Sequence, residues 1–300
     1  MWPLIGVIVG LVLGSFIQAT AERFALGRSL KGRSYCPNCQ KTLAWYDLFP
    51  ILSYLLLRGK CRYCKKKIPR EYLITECIMG ALVGLLFYVS FPQATTMLLA
   101  LDWANAIHLL DLAFKVFVVG VLALVFLIDL KTGLIPDKIT FTASAIAAIY
   151  WVISLIIKSW GFYQGVVNSL LGKYLLPPYS NYLWDHLILI WQPLGIALLS
   201  AVLVSGFFFS LILITKGRGM GWGDVKYVFF LGLVLSAQGT IVAIFLAFLL
   251  GSIVSLVLIA IKRKHFGQTI PFGPFLSVGA LLALLWGSQI IDLYINSFRL

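Results

Sequence analysis

Apolar residues gather along this chain in runs of about 20, the length an α-helix needs to cross a bilayer. Polar residues gather between the runs. Eight runs stand out, at roughly 3–22, 73–91, 112–130, 139–157, 187–215, 225–236, 240–261 and 270–290. The sixth is too short to span alone, so it must extend into a neighbour, tilt, or pack inside a bundle. Ala19-Thr20-Ala21 resembles a signal-peptide cleavage site, but the segment opens Met1-Trp2-Pro3 with no basic residue before its apolar core. That start predicts a retained helix rather than a secretory leader. Gly6, Gly10 and Gly14 fall four apart in the first run, and Gly80 and Gly84 in the second. Such spacing lets helices approach closely.

Composition agrees with the pattern. Hydrophobic residues make up 61% of the 300 positions and charged residues 12%, about half of what a soluble domain carries. A surface this apolar needs lipid to cover it. The expected fold is therefore an all-α integral membrane protein of about eight transmembrane helices, with a small soluble insert between the first two.

Lys and Arg set orientation more than net charge does. Residues 23–71, 131–138, 216–226 and 262–264 hold twelve, two, three and three of the 24 Lys and Arg, while 92–111 and 159–186 hold almost none. With an outside N-terminus these basic segments all fall on one face, the cytoplasmic one, and both termini face outside. The net charge of +13 expresses this asymmetry and contact with anionic lipid; it does not indicate nucleic-acid binding. The 159–186 loop, with Pro177-Pro178 and several aromatics, suits a segment lying along the interface. No convincing repeat or low-complexity tract is visible.

The insert carries Cys36-Pro-Asn-Cys39 and Cys61-Arg-Tyr-Cys64. Two such turns at this separation point to zinc, because each aims two thiolates at one point and together they complete a tetrahedron. Surrounding Lys and Arg favour thiolate. Disulfides are the alternative, but they are rare on the cytoplasmic side. Four thiolates leave no open coordination position, so the metal site at Cys36, Cys39, Cys61 and Cys64 is structural, and roughly fifty residues with few large apolars need such a staple. Cys77, in an apolar run, suits ordinary packing.

Only eleven acidic residues exist, so their placement matters. Asp129 closes the third run, ahead of Ile135-Pro136-Asp137. Asp224 opens the sixth, after Gly219, Gly221 and Gly223. A carboxylate at membrane depth is a functional candidate by default. The glycines allow unusual backbone angles and leave room for an extended substrate. Asp224 stands at a helix N-terminus, where the dipole favours negative charge, with Lys226 nearby. A helix-capping Asp after a glycine-rich loop is the plainer alternative. Asp137 looks like a helix N-cap and ranks behind Asp129 as a catalyst. Two carboxyl groups from separate helices that share a proton can activate water and polarise a carbonyl, which hydrolyses a peptide without serine, thiol or catalytic metal. His108, His186 and His265 are scattered and have no metal spacing.

These residues match a family pattern. Gly14-Ser15-Phe16, the paired cysteine turns, Asp47-Leu-Phe-Pro50 with Ser53, and Leu57-Arg58-Gly59-Lys60-Cys61 belong to it. So do Glu71-Tyr72 to Glu76, Asp129 with Ile135-Pro136-Asp137, Gly219 to Lys226, and Pro271-Phe272-Gly273-Pro274-Phe275. The sequence resembles the type IV prepilin peptidases, bifunctional leader peptidases and N-methyltransferases of the bacterial cytoplasmic (inner) membrane. The resemblance implies Asp129 and Asp224 as the catalytic pair. It also implies a prepilin or pseudopilin substrate, removal of a short basic leader, usually after glycine, and methylation of the new N-terminal residue with S-adenosylmethionine. The chain then divides into a first transmembrane helix at 1–22, a cytoplasmic zinc-binding domain at 23–71 and a transmembrane aspartic peptidase domain at 72–300. Gln18 stands where an Asn is common, Ala21-Glu22-Arg23 is unusual, and 95 positions separate the aspartates. These departures bear on the methyl-transfer half rather than on the peptidase pair. Glu22 and Glu76, at the cytoplasmic ends of the first two runs, are candidates for methyl transfer; pairing with nearby Arg is the plainer alternative. Three rivals stay open. One is the same fold with peptidase activity alone. Another is a transporter or channel whose aspartates carry protons or ions, which predicts carboxylates near the midplane in broken helices. The third is a non-enzymatic assembly scaffold, with the zinc knot and the helix bundle as docking surfaces.

Overall fold

The computed structural model describes residues 2–29, 32–36, 38–90, 103–217, 220–262, 265 and 270–297. Lys31, Pro37, Gly219, Arg218, Arg263, Lys264, Arg299 and residues 91–102 lie outside the described residues. Nine α-helices follow one another among those described: α1 (Trp2–Ala25), α2 (Leu52–Leu56), α3 (Arg70–Ser90), α4 (Trp103–Thr132), α5 (Asp137–Val167), α6 (Gly172–Leu175), α7 (Tyr182–Ile214), α8 (Trp222–Ala260) and α9 (Gly273–Ser297). A single 3-10 turn covers Trp45–Leu48. Seven helices (α1, α3, α4, α5, α7, α8 and α9) are long and apolar enough to cross a membrane. The molecule is a multi-pass, all-helical membrane protein with a cysteine-bearing insert between its first two long helices.

Two compact units divide the chain. The first contains α1, the insert, α3 and the Lys115–Gly133 part of α4. Its centre is the α1–α3 pair, which meets along the predicted glycines. A Cβ on Gly10 would lie 2.3 Å from the Met79 carbonyl oxygen, and one on Gly14 would lie 2.9 Å from the Glu76 Cα. The backbones touch, so nothing larger than glycine fits. Where the helices reach their polar ends, Thr75 Oγ1 donates to Gln18 Oε1 at 3.1 Å and the Tyr72 hydroxyl donates to Glu22. Cys77 is exposed on α3 instead of packing in the core, because the α1-facing stripe is taken by Thr75, Glu76, Met79, Gly80, Val83 and Gly84. Gly133, at φ +67, ends α4 with its N–H on the Asp129 carbonyl at 2.8 Å.

The second unit contains α5 to α9 and the α4 residues up to Phe114. Much of the expected interface loop is helical: α5 runs ten residues past its predicted end, and α7 begins at Tyr182. At a rise of 1.5 Å per residue, the 39 residues of α8 would measure about 58 Å, nearly twice the hydrocarbon thickness. The helix instead breaks at Ser236 (φ 58, ψ −170). Its two halves share neighbours at one level. Ser277 of α9 hydrogen-bonds Tyr227 at 2.8 Å, while a Cβ two residues on, at Gly279, would meet the Ala243 carbonyl at 2.3 Å. Phe208 of α7 packs on Phe248, and Phe209 packs on Trp222. The chain therefore turns back at Ser236, and α8 accounts for both the sixth and the seventh predicted runs. The first half is about 21 Å long and packs inside the bundle, with Tyr227, Phe230 and Leu231 fully buried.

Candidate functional site

The insert builds its metal centre from two matching turns. In the first, the Cys36 N–H bonds the Lys41 carbonyl at 3.0 Å and the Gln40 N–H bonds the Cys36 carbonyl at 2.9 Å. In the second, the Cys61 N–H bonds the Lys66 carbonyl at 2.8 Å and the Lys65 N–H bonds the Cys61 carbonyl at 3.0 Å. Gln40 and Lys65 take the same positive φ, 56° and 58°, and the bridges Tyr35–Thr42 and Lys60–Lys67 close each turn. Every feature recurs 25 residues later. The turns are thus one motif used twice, although little beyond the cysteines matches in sequence.

The four sulfurs converge. One ligand atom from each of Cys36, Cys39, Cys61 and Cys64 lies within 4.8 Å of all the others, and Cys36 Sγ stands 3.8 Å from Cys64 Sγ. Zn–S bonds of ~2.3 Å at tetrahedral angles place sulfurs about 3.8 Å apart, the spacing of the Cys36–Cys64 pair, so the cluster can close on a tetrahedral ion. None of the four is in a disulfide. Burial pushes the Cys36 thiol up, but backbone N–H groups of Cys39 and Asn38 and the neighbouring thiols outweigh it and bring it down to about 7. At Cys64 the Lys66 backbone favours thiolate, yet burial and the other three sulfurs prevail and push it up to about 11. Four thiols crowded together cannot all ionise without a cation between them.

Two contacts that the sequence did not announce tie the insert together. Arg62, inside the second turn, donates to Asp47 at 2.8 Å and lies over the Tyr46 ring. The Asp47 carboxylate holds the Arg62 guanidinium above its ordinary value. Ile51 donates its backbone N–H to Glu76 Oε2 of α3 at 2.8 Å. A lone Asp among a dozen cations in 23–71 was a usable signal for the first contact. Nothing in the sequence marks the second.

The carboxylates occupy helix ends, each in its own unit. Asp129 is buried, 3% exposed, three residues before α4 ends. Asp224 is 9% exposed in the first turn of α8, where its Oδ2 accepts the Gly221 N–H at 3.2 Å. That contact caps the first turn of the helix. Gly221 itself has ordinary extended angles, φ −86 and ψ 153, so it needs no glycine freedom. A Cβ on Gly223 would meet the Ile135 Cβ at 2.9 Å and the Ile135 carbonyl oxygen at 3.4 Å, so the chain's own Ile135 makes a close approach there. Asp137 does not cap α5, because Pro136 holds the N-cap position. Its carboxylate instead accepts from Lys226 at 2.7 Å. Glu71, at the start of α3, pairs with Lys131 at 2.9 Å. Glu22 and Glu76 take Tyr72 and the Ile51 N–H as partners; among the described residues neither forms the expected ion pair with Arg.

Comparison with known proteins places this chain in a family. Residues 8–90 match the bacterial peptidase A24 N-terminal domain, and residues 116–256 match the type IV leader peptidase family. A prepilin leader peptidase/N-methyltransferase of Bacillus subtilis (strain 168) is 30% identical over 296 residues, covering 96% of this chain and 96% of that protein. The chain belongs to the type IV leader peptidase family. Proteins of the same name from Stutzerimonas stutzeri and Pseudomonas aeruginosa are 28% and 26% identical, over 89% and 97% of this chain and 76% and 92% of their own. No solved structure matches. Both matched regions contain a residue set built above: the cysteine cluster lies in the first, and Asp129 and Asp224 lie in the second.

Proposed function

We propose that this family member is an aspartic endopeptidase of the bacterial inner membrane. It removes the leader from type IV prepilins or pseudopilins at the cytoplasmic face and then N-methylates the new N-terminus. The observation that carries the peptidase half is the burial of two carboxyl groups at helix ends, Asp129 and Asp224, in a chain poor in acids. Asp137, eight positions after Asp129, ion-pairs Lys226, two positions after Asp224. In this mechanism one carboxylate takes a proton from water, whose oxygen attacks the scissile carbonyl. The protonated partner donates to the carbonyl oxygen and then, as the C–N bond breaks, a proton passes to the leaving amine. Helix-end placement favours this chemistry over a transporter, which needs its carboxylates near the midplane.

Orientation rests on charge within each unit. The Glu71–Lys131 pair joins the insert's end to the end of α4, and the Asp137–Lys226 pair joins the 131–138 and 216–226 segments. The α8 turn returns Lys262 to the side of Trp222. Basic segments thus share a side in each unit, which is the cytoplasmic one. Zinc is the ion that fits the four thiols, and it supplies rigidity rather than catalysis. S-adenosylmethionine is the methyl donor this function requires. Glu22 and Glu76, carboxylates without an ion-pair partner among the described residues, are the groups suited to take the amine proton.

The deciding experiment is cleavage of candidate prepilins in proteoliposomes by wild type, Asp129→Asn and Asp224→Asn. Both variants are expected to fold and to release no leader. Cleavage by either at the wild-type rate removes it from the mechanism. One added methyl mass on the mature N-terminus separates the bifunctional enzyme from a peptidase alone. A cysteine probe at Lys65 labelled only from outside would reverse the orientation.

A further inference from the structure

The insert turns part of itself inside out. In α2 the buried residue is Ser53, while Leu52, Leu55 and Leu56 are 56%, 61% and 74% exposed. Spaced i, i+3, i+4, these leucines form one face of a helical turn. The preceding 3-10 turn continues it, with Trp45 72% and Phe49 49% exposed and in edge contact with one another at 5.7 Å. A soluble knuckle domain in water would turn these five side chains inward.

Two observations say what covers them. The first is depth. The Ile51 N–H is held by Glu76 at 2.8 Å, and Glu76 lies six residues into α3, about 9 Å along the helix. The start of α2 is therefore level with the first turns of a membrane-spanning helix, not out beyond its end. The second is charge. Arg58, Lys60, Lys65, Lys66 and Lys67 follow within eleven residues of Leu56 and are all exposed. Tyr54 holds the basic stretch against α2, its ring 3.0 Å from where a Cβ on Gly59 would sit. Aromatic and leucine side chains on one surface, flanked by exposed cations, have the chemistry of an element lying in the plane of an anionic membrane surface.

We propose that residues 45–56 are an in-plane membrane anchor. Trp45, Phe49, Leu52, Leu55 and Leu56 enter the headgroup–acyl boundary, and the neighbouring Lys and Arg contact anionic headgroups. The anchor fixes the knuckle pair at the bilayer surface. This holds whether or not the proposed catalytic roles are correct, because it rests only on the chain being a membrane protein.

The test uses the full-length, zinc-loaded protein in nanodiscs holding one chain. An environment-sensitive fluorescent amino acid is placed at position 56 and, separately, at position 66 on the second knuckle. Doxyl groups high on the acyl chains should quench the probe at 56 about twofold more than that at 66, and aqueous iodide should do the reverse. Quenching at 56 should deepen when phosphatidylglycerol replaces part of the phosphatidylcholine. Iodide quenching at 56 equal to that at 66, with no effect of doxyl lipid, overturns the proposal. So does a probe at 56 that iodide reaches with one chain in the disc and that both quenchers miss once a second chain is loaded, which would identify another copy as the occupant. Leader cleavage measured on the same samples keeps failure of the anchor distinct from failure of the peptidase assignment.

Discussion

Between positions 26 and 69 the buried residues, among those described, are Cys36, Ser53, Gly59 and Cys61. In α8 the buried set is Asp224, Tyr227, Val228, Phe230, Leu231, Gly232, Leu233, Thr240, Val242, Ala243 and Ala247. The insert has no apolar interior, and its order comes from backbone turns closed around four sulfurs. The α8 hairpin has no cross-link, and its order comes from aromatic packing and from backbone brought against backbone at Gly232 and Gly279. The insert should therefore fail when its centre loses metal, and the hairpin should fail when a close contact gains volume. Neither failure should spread to the other.

The largest expected effect is on the insert. Cys36→Ser or Cys61→Ser should remove about one zinc per chain. Structural zinc in small domains contributes on the order of 10 kcal/mol, far more than the insert's few other contacts replace. Hydrogen exchange across 32–69 should become fast while α8 stays protected. A wild type that is fully active and metal-free would sink the assignment. Proton competition gives this test a sign. Bound zinc needs four thiolates, whereas in the free cluster Cys36 protonates below about 7 and Cys64 stays protonated up to about 11. Zinc affinity should rise with pH across that interval and fall most steeply below pH 7, measured by chelator competition. Affinity independent of pH would mean the thiols are not the ligands.

A middle-sized effect belongs to the hairpin. Leucine at Gly279 would drive side-chain atoms into the Ala243 backbone, 2.3 Å from where the Cβ begins. Overpacking of this kind costs about 1–3 kcal/mol. Gly279→Leu should lower the thermal midpoint in detergent while zinc content stays at the wild-type value. Gly10→Leu should do the same through α1 and α3. If Gly279→Leu also releases zinc, the two regions are coupled and the contrast between them fails.

How much was legible beforehand follows from this difference. The cysteine cluster was legible because its four ligands lie within 29 residues and spacing alone fixes the chemistry. Its repetition was not, because backbone turns carried it on unlike residues such as Gln40 and Lys65. The long helices were legible as apolar runs, and Ser236 falls at the end of the run that was too short to cross alone. Helix ends were less so. Asp137 had the residue type and the proline of a cap, but the cation that claims its carboxylate, Lys226, lies 89 positions away. Likewise Gly223 carried the signature of a substrate-facing glycine, while its crowding comes from Ile135. The exposed apolar face of α2 was not legible because the insert read as a metal-stapled domain with few large apolars, and a helix of five residues is too short to show a periodicity.

The smallest expected effect also sharpens the catalytic assignment. Asp137 and Asp129 are eight positions apart and are both candidates by sequence, yet their settings differ. The Asp137 side chain is 58% exposed and its partner Lys226 31% exposed. An ion pair so open to water is worth about 0.2–1 kcal/mol, because solvent screens it and two long side chains must be held still. Asp129 is 3% exposed, where a carboxyl group is retained only if something uses it. Asp137→Asn should therefore lower the thermal midpoint by no more than about 4 °C, since ~1 kcal/mol moves a domain of about 150–250 residues by about 2–4 °C. It should retain most of the cleavage rate. Asp129→Asn should fold and be inactive. Lys226→Met should behave like Asp137→Asn, and the double variant should cost no more than either alone, because each removes the same pair. If Asp137→Asn is inactive and Asp129→Asn is active, Asp137 becomes the first carboxylate of the pair. The Lys226 contact would then be a charge held beside the catalytic group, not a loop fastening, and Lys226→Met alone would lower the cleavage rate.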